Sequence, residues 1–282
     1  MTLHPAETDT GIVFVRNDIG GDAGTITAAW YNVVDTRLAT TIGNDDGMKI
    51  STIEHLMAAL AGCGIDNAIV EIDAPEVPVM DGSAAPFVFL VECAGVQEQN
   101  ASRLAIKVEK TLTVGDDHKY LSVRPAAEFS VSFEIDFDGS PMAQQHLALR
   151  LVNGTFKTDI ARARTFGFAH EVEALRKAGL ALGGSLDNAV VIRENQVMNG
   201  DGLRYSDEFV RHKILDCVGD LYLAGAPIIG AVEALRSGHA LNHDMLSCLF
   251  SNQDAWSFVE LTDALVPGTS HMEMDAPIMS HA

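Results

Sequence analysis

Three polar side chains at four-residue spacing, His212, Asp216 and Asp220, are the group best suited to chemistry in this chain. On a helix, side chains at i and i+4 lie one turn apart, with Cβ atoms about 5–6 Å from each other. An imidazole and a carboxylate at that spacing can hold one metal ion from a single rigid face. The apolar residues among them would pack the helix into a core; they are Ile214, Leu215 and Val218. The structural alternative is a surface ion pair, which uses the same spacing.

Residues 51–60 have the pattern of the start of a second helix. Ser51 or Thr52 would serve as its N-cap, because a hydroxyl before an apolar run is typical of a helix start. Ser51 and Glu54 also have the spacing of a capping box, in which the Glu54 carboxylate would bond back to the helix N-terminus. That pairing is the structural alternative to a chemical role for Glu54.

A metal site can be assembled from the two predicted helices. His55 would turn inward with the apolar run, and it could join His212 and Asp216. Two histidines and one aspartate, with an open position for water, are a ligand set of catalytic zinc sites. Glu54, next to His55, would then be placed to take a proton from that water.

Seven sequence words carry a family resemblance. They are residues 51–56, 64–68, 78–84, 163–168, 182–185, 209–216 and 237–242. Together they resemble the zinc-dependent UDP-3-O-acyl-N-acetylglucosamine deacetylases of lipid A biosynthesis, collinearly from about residue 2 to about residue 258. The resemblance implies that His55, His212 and Asp216 ligate Zn²⁺. It also implies that Glu54 is the general base and His239 the general acid in the hydrolysis of an N-acetyl group.

The resemblance implies supporting roles as well. Asp220 would orient and charge-stabilise His239, which is expected on a flexible loop at 237–242. Thr165 would donate its hydroxyl to the oxyanion, Lys213 would add positive charge and bind substrate, and Phe166 would pack against the sugar-nucleotide side. The alternatives are structural: Thr165 could cap a helix beginning at Phe166, Asp220 could lie on a helix surface, and His239 could be an exposed loop histidine.

Composition restricts the class of protein. The chain has 282 residues, 47% hydrophobic and 21% charged, which is enough to bury a sizeable core. The formal net charge of −20 argues against binding to nucleic acid or to an anionic membrane surface. No uninterrupted apolar stretch reaches about 18 residues, so no membrane span is expected. The N-terminal residues lack the basic and apolar regions of a signal peptide.

The cysteines and the basic residues refine this view. Four cysteines are scattered without CxxC spacing, which favours reduced thiols in a cytoplasm; they are Cys63, Cys93, Cys217 and Cys248. An anionic sugar nucleotide would need local positive charge against the negative total. The candidates for that charge are Lys213, Arg162, Arg164 and Arg211.

The remaining pattern predicts alternating helices and strands. Helices are expected at 54–62, 169–179, 209–223 and 244–250, and a further helix beginning at 159–163 with a break near 167. Strands are expected at 104–114, 120–124, 129–137, 146–151, 228–235 and 256–261. Residues 64–70 echo residues 185–191, which would fit two α+β layers related by duplication.

The resemblance implies an α+β fold of two duplicated domains, at 1–98 and 103–262. Each domain would have a five-stranded sheet and two helices, with the helices sandwiched between the sheets. A small strand insert is expected in the first domain. A β-α-β insert near 181–204 is expected in the second, where it would line a hydrophobic passage for an acyl chain. Residues 263–282 are expected to form a loose tail, and the family's opening strands are expected to be missing, which would leave a sheet edge unpaired.

Three functions are compatible with these residues. The leading hypothesis is a cytoplasmic, monomeric zinc amidase that releases acetate from UDP-3-O-(3-hydroxyacyl)-N-acetylglucosamine. This small-molecule substrate is its expected binding partner. A related metal amidase acting on another N-acyl substrate is the second. The third is a non-catalytic protein that binds a sugar nucleotide or an acyl chain, and it would predict erosion of a catalytic set that is present here.

Overall fold

The first half of the chain forms two small sheets and two helices. The computed structural model describes residues 1–137, 144–152, 154–177 and 183–261. The strands are β1 (Thr2–Pro5), β2 (Ile12–Arg16), β3 (Thr25–Thr27), β4 (Val33–Asp35), β5 (Thr41–Gly43), β6 (Lys49–Ile50) and β7 (Ala68–Ile72). The helices are α1 (Glu54–Cys63) and α2 (Ala85–Ala94).

The second half contains the remaining strands and three helices. The strands before its first helix are β8 (Leu104–Val108), β9 (Leu112–Gly115), β10 (Tyr120–Arg124), β11 (Ser130–Asp136), β12 (Gln144–Arg150) and β13 (Phe166–Phe168). After them come α3 (Ala169–Lys177), β14 (Val190–Arg193), β15 (Gln196–Val197), α4 (Glu208–Leu221), β16 (Ile228–Ile229), β17 (Ala231–Leu235), α5 (His239–Ser251) and β18 (Trp256–Glu260). No helix in the described ranges is long and apolar enough to cross a membrane.

The main sheets of the two halves share one strand order. The first sheet runs β1-β7-β2-β3, with β2 parallel to β7 and the outer pairs antiparallel. The second runs β10-β17-β11-β12 with the same directions, and β9 is added beside β10. In the first half α1 precedes β7 and α2 follows it, and in the second half α4 precedes β17 and α5 follows it. This repeated topology agrees with the expected duplication, although the described part of the first sheet has four strands rather than five.

The sequence echo between 64–70 and 185–191 does not follow this repeat. The first copy leads into β7, the central strand of its main sheet, whereas the second leads into β14 in a separate three-stranded sheet, β13-β14-β15. The topological partner of β7 is β17. The echo therefore reflects two similar turns and not the duplication.

Helices α1 and α4 cross at the centre of the molecule. A single buried cluster joins apolar side chains of both helices to both sheets, including Leu56, Leu60 and Leu215. At the crossing, a Cβ on Gly219 would lie 2.0 Å from the Glu54 carbonyl oxygen. Only glycine permits this approach, and it brings the N-terminus of α1 against the last turn of α4.

Several predicted elements have different bounds. The expected strand at 228–235 is broken at Gly230, where an added Cβ would meet Val108, and its two parts join different sheets. The expected strand at 104–114 divides into β8 and β9. Instead of a helix from 159, a π-helical turn spans Phe156–Ile160.

The β-α-β unit also lies earlier than expected. It is formed by β13, α3 and β14, with β13 parallel to β14, so it begins at residue 166 rather than near 181. A three-stranded sheet of β4, β5 and β6 corresponds to the small insert expected in the first half. The expected tail, 263–282, lies outside the described residues.

Candidate metal centre

The start of α1 differs from the predicted capped helix. Its N-cap residue is Ile53, with no capping side-chain hydrogen bond. Ser51 Oγ bonds to Thr41 Oγ1 at 2.8 Å, and Thr52 Oγ1 donates to Glu76 Oε1 at 2.7 Å. Thr52 has a φ of 59°, a conformation that costs a β-branched residue about 1–3 kcal/mol and is often found at functional sites. The predicted N-cap role of Ser51 or Thr52 is therefore wrong.

The capping-box alternative for Glu54 is also wrong. Glu54 Oε2 accepts a hydrogen bond from the Thr40 backbone N–H at 3.0 Å, and the side chain is buried. Burial raises the pKa of Glu54 to about 7; the charges of Asp220 and Asp216 act in the same direction, while His239 opposes them. A carboxyl group with such a pKa is suited to proton transfer near neutral pH.

His55, His212 and Asp216 meet at the crossing of α1 and α4. Their ligand atoms all lie within 4.8 Å of one another, and all three residues are buried. Asp216 Oδ1 is 3.3 Å from His212 Nε2 and 3.7 Å from His55 Nε2. The first half of the chain supplies one candidate ligand and the second half supplies two.

The chemistry of these three residues fits a divalent cation. Asp216 Oδ1 is buried without a hydrogen-bond partner among the described residues. Burial, helped by the charge of His212, lowers the pKa of His55 to about 3, and burial also lowers the pKa of His212. His212 Nδ1 lies 3.0 Å from the Ala163 carbonyl oxygen, so Nδ1 carries the proton and the Nε2 lone pair faces Asp216.

Lys213 completes the charge balance of this cluster. Its Nζ donates to Asp216 Oδ2 at 3.1 Å, leaving Oδ1 directed towards the histidines. Burial alone would raise the pKa of Asp216, but His212 and Lys213 outweigh it and hold the pKa well below its usual value. The carboxylate is therefore ionised, as a metal ligand must be.

His239 lies at the first position of α5 and not on a flexible loop. The expected loop at 237–242 is wrong, because Gly238 is the N-cap of a helix that begins at His239. The side chain is only 12% exposed, and its Nδ1 is 2.7 Å from Asp220 Oδ2. Burial alone would lower the pKa of His239, but Asp220, with help from Glu54 and Asp216, raises it to about 9.

Asp220 is buried, so the alternative prediction that it lies on a helix surface is wrong. Its Oδ2 accepts hydrogen bonds from His239 and from Asn242 Nδ2, the latter at 2.8 Å. Its Oδ1 accepts one from Thr40 Oγ1 at 2.5 Å. On the other side of the imidazole, His239 Nε2 is 3.9 Å from Glu54 Oε1. Glu54, His239 and Asp220 therefore form one connected group beside the candidate ligands.

Thr165 and Phe166 lie where the chain passes His212. Phe166 begins a strand, so the alternative of a helix capped by Thr165 is wrong. The Phe166 ring centre is 6.3 Å from that of His212. Backbone bonds fix Thr165 between Gly82, whose carbonyl accepts its N–H, and Val190, whose N–H bonds to its carbonyl.

Two basic residues that were candidates for substrate binding have structural partners. Arg164 is 3% exposed and bonds to the buried carboxylate of Glu208 at 2.9 Å. Arg211 bonds to Asp207 at 2.6 Å and lies over the Tyr205 ring. Of the four basic candidates, Lys213 is the one that contacts the metal cluster.

Residues 81–83 form a turn, as expected for a structural role. The backbone N–H and the hydroxyl of Ser83 both donate to Asp81 Oδ1.

A cavity of about 420 Å³ borders the cluster. Lys213 forms part of its wall, together with the aromatic side chains Phe137 and Phe168 and the charged residues Arg236 and Asp136. Phe166 lies behind this wall, with its ring 5.5 Å from that of Phe137. Lys213 therefore contacts both the cavity and Asp216 of the cluster.

The fold and the site together define the class: a two-half α+β protein with a buried candidate metal centre shared between its halves. Residues 1–251 match the LpxC family, UDP-3-O-acyl N-acetylglycosamine deacetylase, and the chain belongs to this metalloenzyme family.

Curated relatives are similar over nearly the whole chain. A protein of Acidithiobacillus ferrooxidans is 52% identical over 94% of this chain and 87% of its own length. Proteins of Shewanella halifaxensis and Shewanella oneidensis are 49% and 48% identical, each over 99% of this chain and 88% of their own length. All three are named UDP-3-O-acyl-N-acetylglucosamine deacetylase.

Three contributors to the site were not predicted from the sequence. Thr40 lies outside every sequence word that was singled out, and the Ala163 contact is made by a backbone carbonyl that any residue could supply. Asn242 stood in the word 237–242 without a role. Its position three residues after His239 was the available signal, because i and i+3 share a helix face.

Proposed function

We propose that this protein is a metal-dependent amide hydrolase that removes the N-acetyl group of UDP-3-O-(3-hydroxyacyl)-N-acetylglucosamine in lipid A biosynthesis. The products are acetate and the free amine. The observation that carries the proposal is the cluster of His55, His212 and Asp216 with Glu54 and His239 beside it, in a chain of this family.

We infer that the three ligands hold Zn²⁺, because two imidazoles and a carboxylate suit this ion in catalytic sites. The bound cation would polarise the amide carbonyl and lower the pKa of water at the site towards neutrality. The same donors also accept Fe²⁺.

Glu54 and His239 divide the proton transfers in this proposal. Glu54, with its raised pKa, removes a proton from the attacking water. His239 is protonated at neutral pH and gives its Nε2 proton to the leaving nitrogen. Asp220 holds the Nδ1–H, so Nε2 is the position from which the proton leaves. The C–N bond then breaks as the amine departs.

Lys213 and Thr165 are proposed to stabilise the negative oxygen that develops on the carbonyl. Lys213 keeps its charge, since Asp216 outweighs the effect of burial and raises the pKa of the ammonium group. Thr165 is held by its backbone at the junction of the two halves, with its hydroxyl as the donor. Fixed donors of this kind cost little reorganisation during the reaction.

The cavity beside Lys213 is proposed to bind the sugar nucleotide. Lys213 and Arg236 would face the anionic part, and Phe137 and Phe168 offer aromatic surface, with Phe166 packed behind them. The acyl chain is proposed to run along the β-α-β unit, where Leu186 and Met198 are 49% and 40% exposed.

A cytoplasmic location and a monomeric state are part of the same proposal. The four cysteines are free in the structure, as expected for a reducing compartment. The monomeric state is tested by light scattering of the purified protein, for which a mass of 30.2 kDa is expected.

The test is an assay of acetate release from UDP-3-O-acyl-N-acetylglucosamine, in which mass spectrometry detects the products. His212→Ala should abolish both metal binding and turnover, whereas His118→Ala, at an exposed turn, should change neither. A non-catalytic binding protein would retain substrate affinity and show no turnover even as the metal-loaded wild type. A different N-acyl substrate class would be indicated if only substrates lacking the UDP or the acyl group reacted.

A further inference from the structure

We propose that Thr40 is a positioning residue that fixes the general base Glu54 and the general acid His239 relative to each other; this inference rests on the proposed function. Thr40 is 2% exposed and lies just before β5 in the small sheet of the first half. Its hydroxyl donates to Asp220 Oδ1 at 2.5 Å, and its backbone N–H donates to Glu54 Oε2 at 3.0 Å. One residue therefore contacts both carboxylates that flank His239.

The two oxygens of Asp220 have different partners. Oδ2 accepts from His239 Nδ1 at 2.7 Å and from Asn242 at 2.8 Å. Among the described residues, Oδ1 accepts its hydrogen bond from Thr40. Without it, the carboxylate could rotate about its Cβ–Cγ bond. The Thr40 hydroxyl thus fixes the plane of the carboxylate and, through it, the direction of the imidazole.

Thr40 is itself held by the helix that carries Glu54. The N–H of Ile53, the residue before Glu54, donates to the Thr40 carbonyl at 3.4 Å. The backbone of Thr40 is thereby fixed to the start of α1, while its hydroxyl reaches Asp220 on α4. Because the base lies on α1 and the acid pair on α4 and α5, Thr40 couples groups from both halves of the chain.

Side-chain substitutions separate the hydroxyl from the backbone contact. Thr40→Val keeps the shape and the N–H bond to Glu54, and it removes the two contacts of the hydroxyl, the bond to Asp220 and the 3.3 Å contact with His239 Nδ1. Thr40→Ser restores the hydroxyl. Thr41→Val is the matched control, because it removes the adjacent hydroxyl, which bonds to Ser51 rather than to the site. Thr40→Ala lacks the same hydroxyl and replaces Thr40→Val if the latter is insoluble.

In steady-state assays, Thr40→Val should lower kcat by about 10- to 100-fold, with KM changed less than about twofold and one metal ion still bound. Thr40→Ser and Thr41→Val should stay within about threefold of the wild type. An effect of Thr40→Val within threefold would overturn the proposal. So would an equal loss in Thr40→Ser.

A second readout does not need the substrate. In ¹⁵N-labelled protein, the His239 Nδ1 proton resonance should shift in Thr40→Val and remain in place in Thr40→Ser and Thr41→Val. Unchanged resonances in all three variants would overturn the positioning role, whatever their activity. If wild-type protein does not release acetate, the proposed function fails, and this resonance alone decides the role of Thr40.

Discussion

At the scale of single residues, burial and neighbours assign different chemistry to similar groups. Glu54 and Asp216 are both buried carboxyl groups, yet the pKa of Glu54 is raised to about 7 and that of Asp216 is held low. Asp216 has Lys213 and two imidazoles around it, whereas Glu54 has two other carboxylates nearby. Asp216 is thus suited to hold a cation, and Glu54 is suited to exchange a proton. The histidines divide similarly, since His55 is kept neutral and His239 is kept charged.

The pH dependence of kcat/KM should follow these two proton-transfer groups. Because His239 must be protonated to act as an acid, the rate should fall as pH rises through about 9. Because Glu54 must be ionised to act as a base, the rate should fall as pH drops below about 7, and the bound cation moves this limb lower. The measurement is kcat/KM across both limbs.

Substitutions assign the two limbs. His239→Gln should remove the fall at high pH, and Glu54→Gln should remove the fall at low pH, each on a much lower residual rate. If His239→Gln retained a fall near pH 9, another group would be the acid.

At the scale of elements, the crossing of α1 and α4 sets the geometry of the site. Gly219→Ala would place a Cβ 2.0 Å from the Glu54 carbonyl oxygen, which is backbone and cannot turn away. The helices must separate, so we expect a loss of about 1–3 kcal/mol in the free energy of unfolding, with weaker metal binding. Urea denaturation and metal titration measure the two effects.

The control for this change is Gly200→Ala, where an added Cβ meets nothing within 4 Å. It should leave both quantities close to those of the wild type. Equal effects at the two positions would mean that the close approach of the helices is not what sets the site.

The buried ion pair of Arg164 and Glu208 anchors the segment that carries Thr165. Glu208→Gln should cost about 3 kcal/mol of unfolding free energy, because it leaves the buried Arg164 charge with only the exposed carboxylate of Asp201 as an ionic partner. Asp207→Asn, in the more exposed pair with Arg211, should cost at most about 1 kcal/mol. Similar losses from both substitutions in chemical denaturation would contradict the anchoring role of Glu208.

The long elements could be predicted from the sequence better than the junctions between them. Helix α4 and strand β10 are apparent from periodicity and β-branched content, because the pattern within each segment favours its type whatever that segment later packs against. The N-cap of α1 was wrong because Ser51 and Thr52 bond to distant residues, Thr41 and Glu76, instead of to the helix. Long-range partners of this kind leave no local signal.

The site shows the same limit. His212 and Asp216 could be paired from their spacing on one helix, whereas His55 could be joined to them only as a hypothesis from ligand chemistry, which the family resemblance then supported, since no local rule places α1 against α4. The helical position of His239 was missed because Gly238 was taken as a sign of a loop rather than as an N-cap. The contact of Thr40 with the site could not be predicted, because its partner Asp220 lies 180 residues away in the sequence.

At the scale of the whole molecule, the metal site should act as a clamp between the halves. Its ligands come from α1 and α4, and the buried core is continuous across both. A cation that binds only the folded state at 100 times its dissociation constant adds about 2.7 kcal/mol of stability. A chelator should therefore lower the Tm of the wild type in one cooperative transition, as followed by calorimetry.

The same treatment should leave the Tm of His212→Ala unchanged, because that variant has lost a ligand. A chelator-induced decrease in both proteins would place the stabilising cation elsewhere.

The most direct test of the central claim is a zinc titration of chelator-treated protein, with acetate release from UDP-3-O-acyl-N-acetylglucosamine as the signal. If His55, His212 and Asp216 hold the catalytic ion, activity should be absent without metal and should rise linearly to a maximum at one equivalent. Full activity in metal-free protein, or no activity in folded protein that has bound one equivalent, would contradict it.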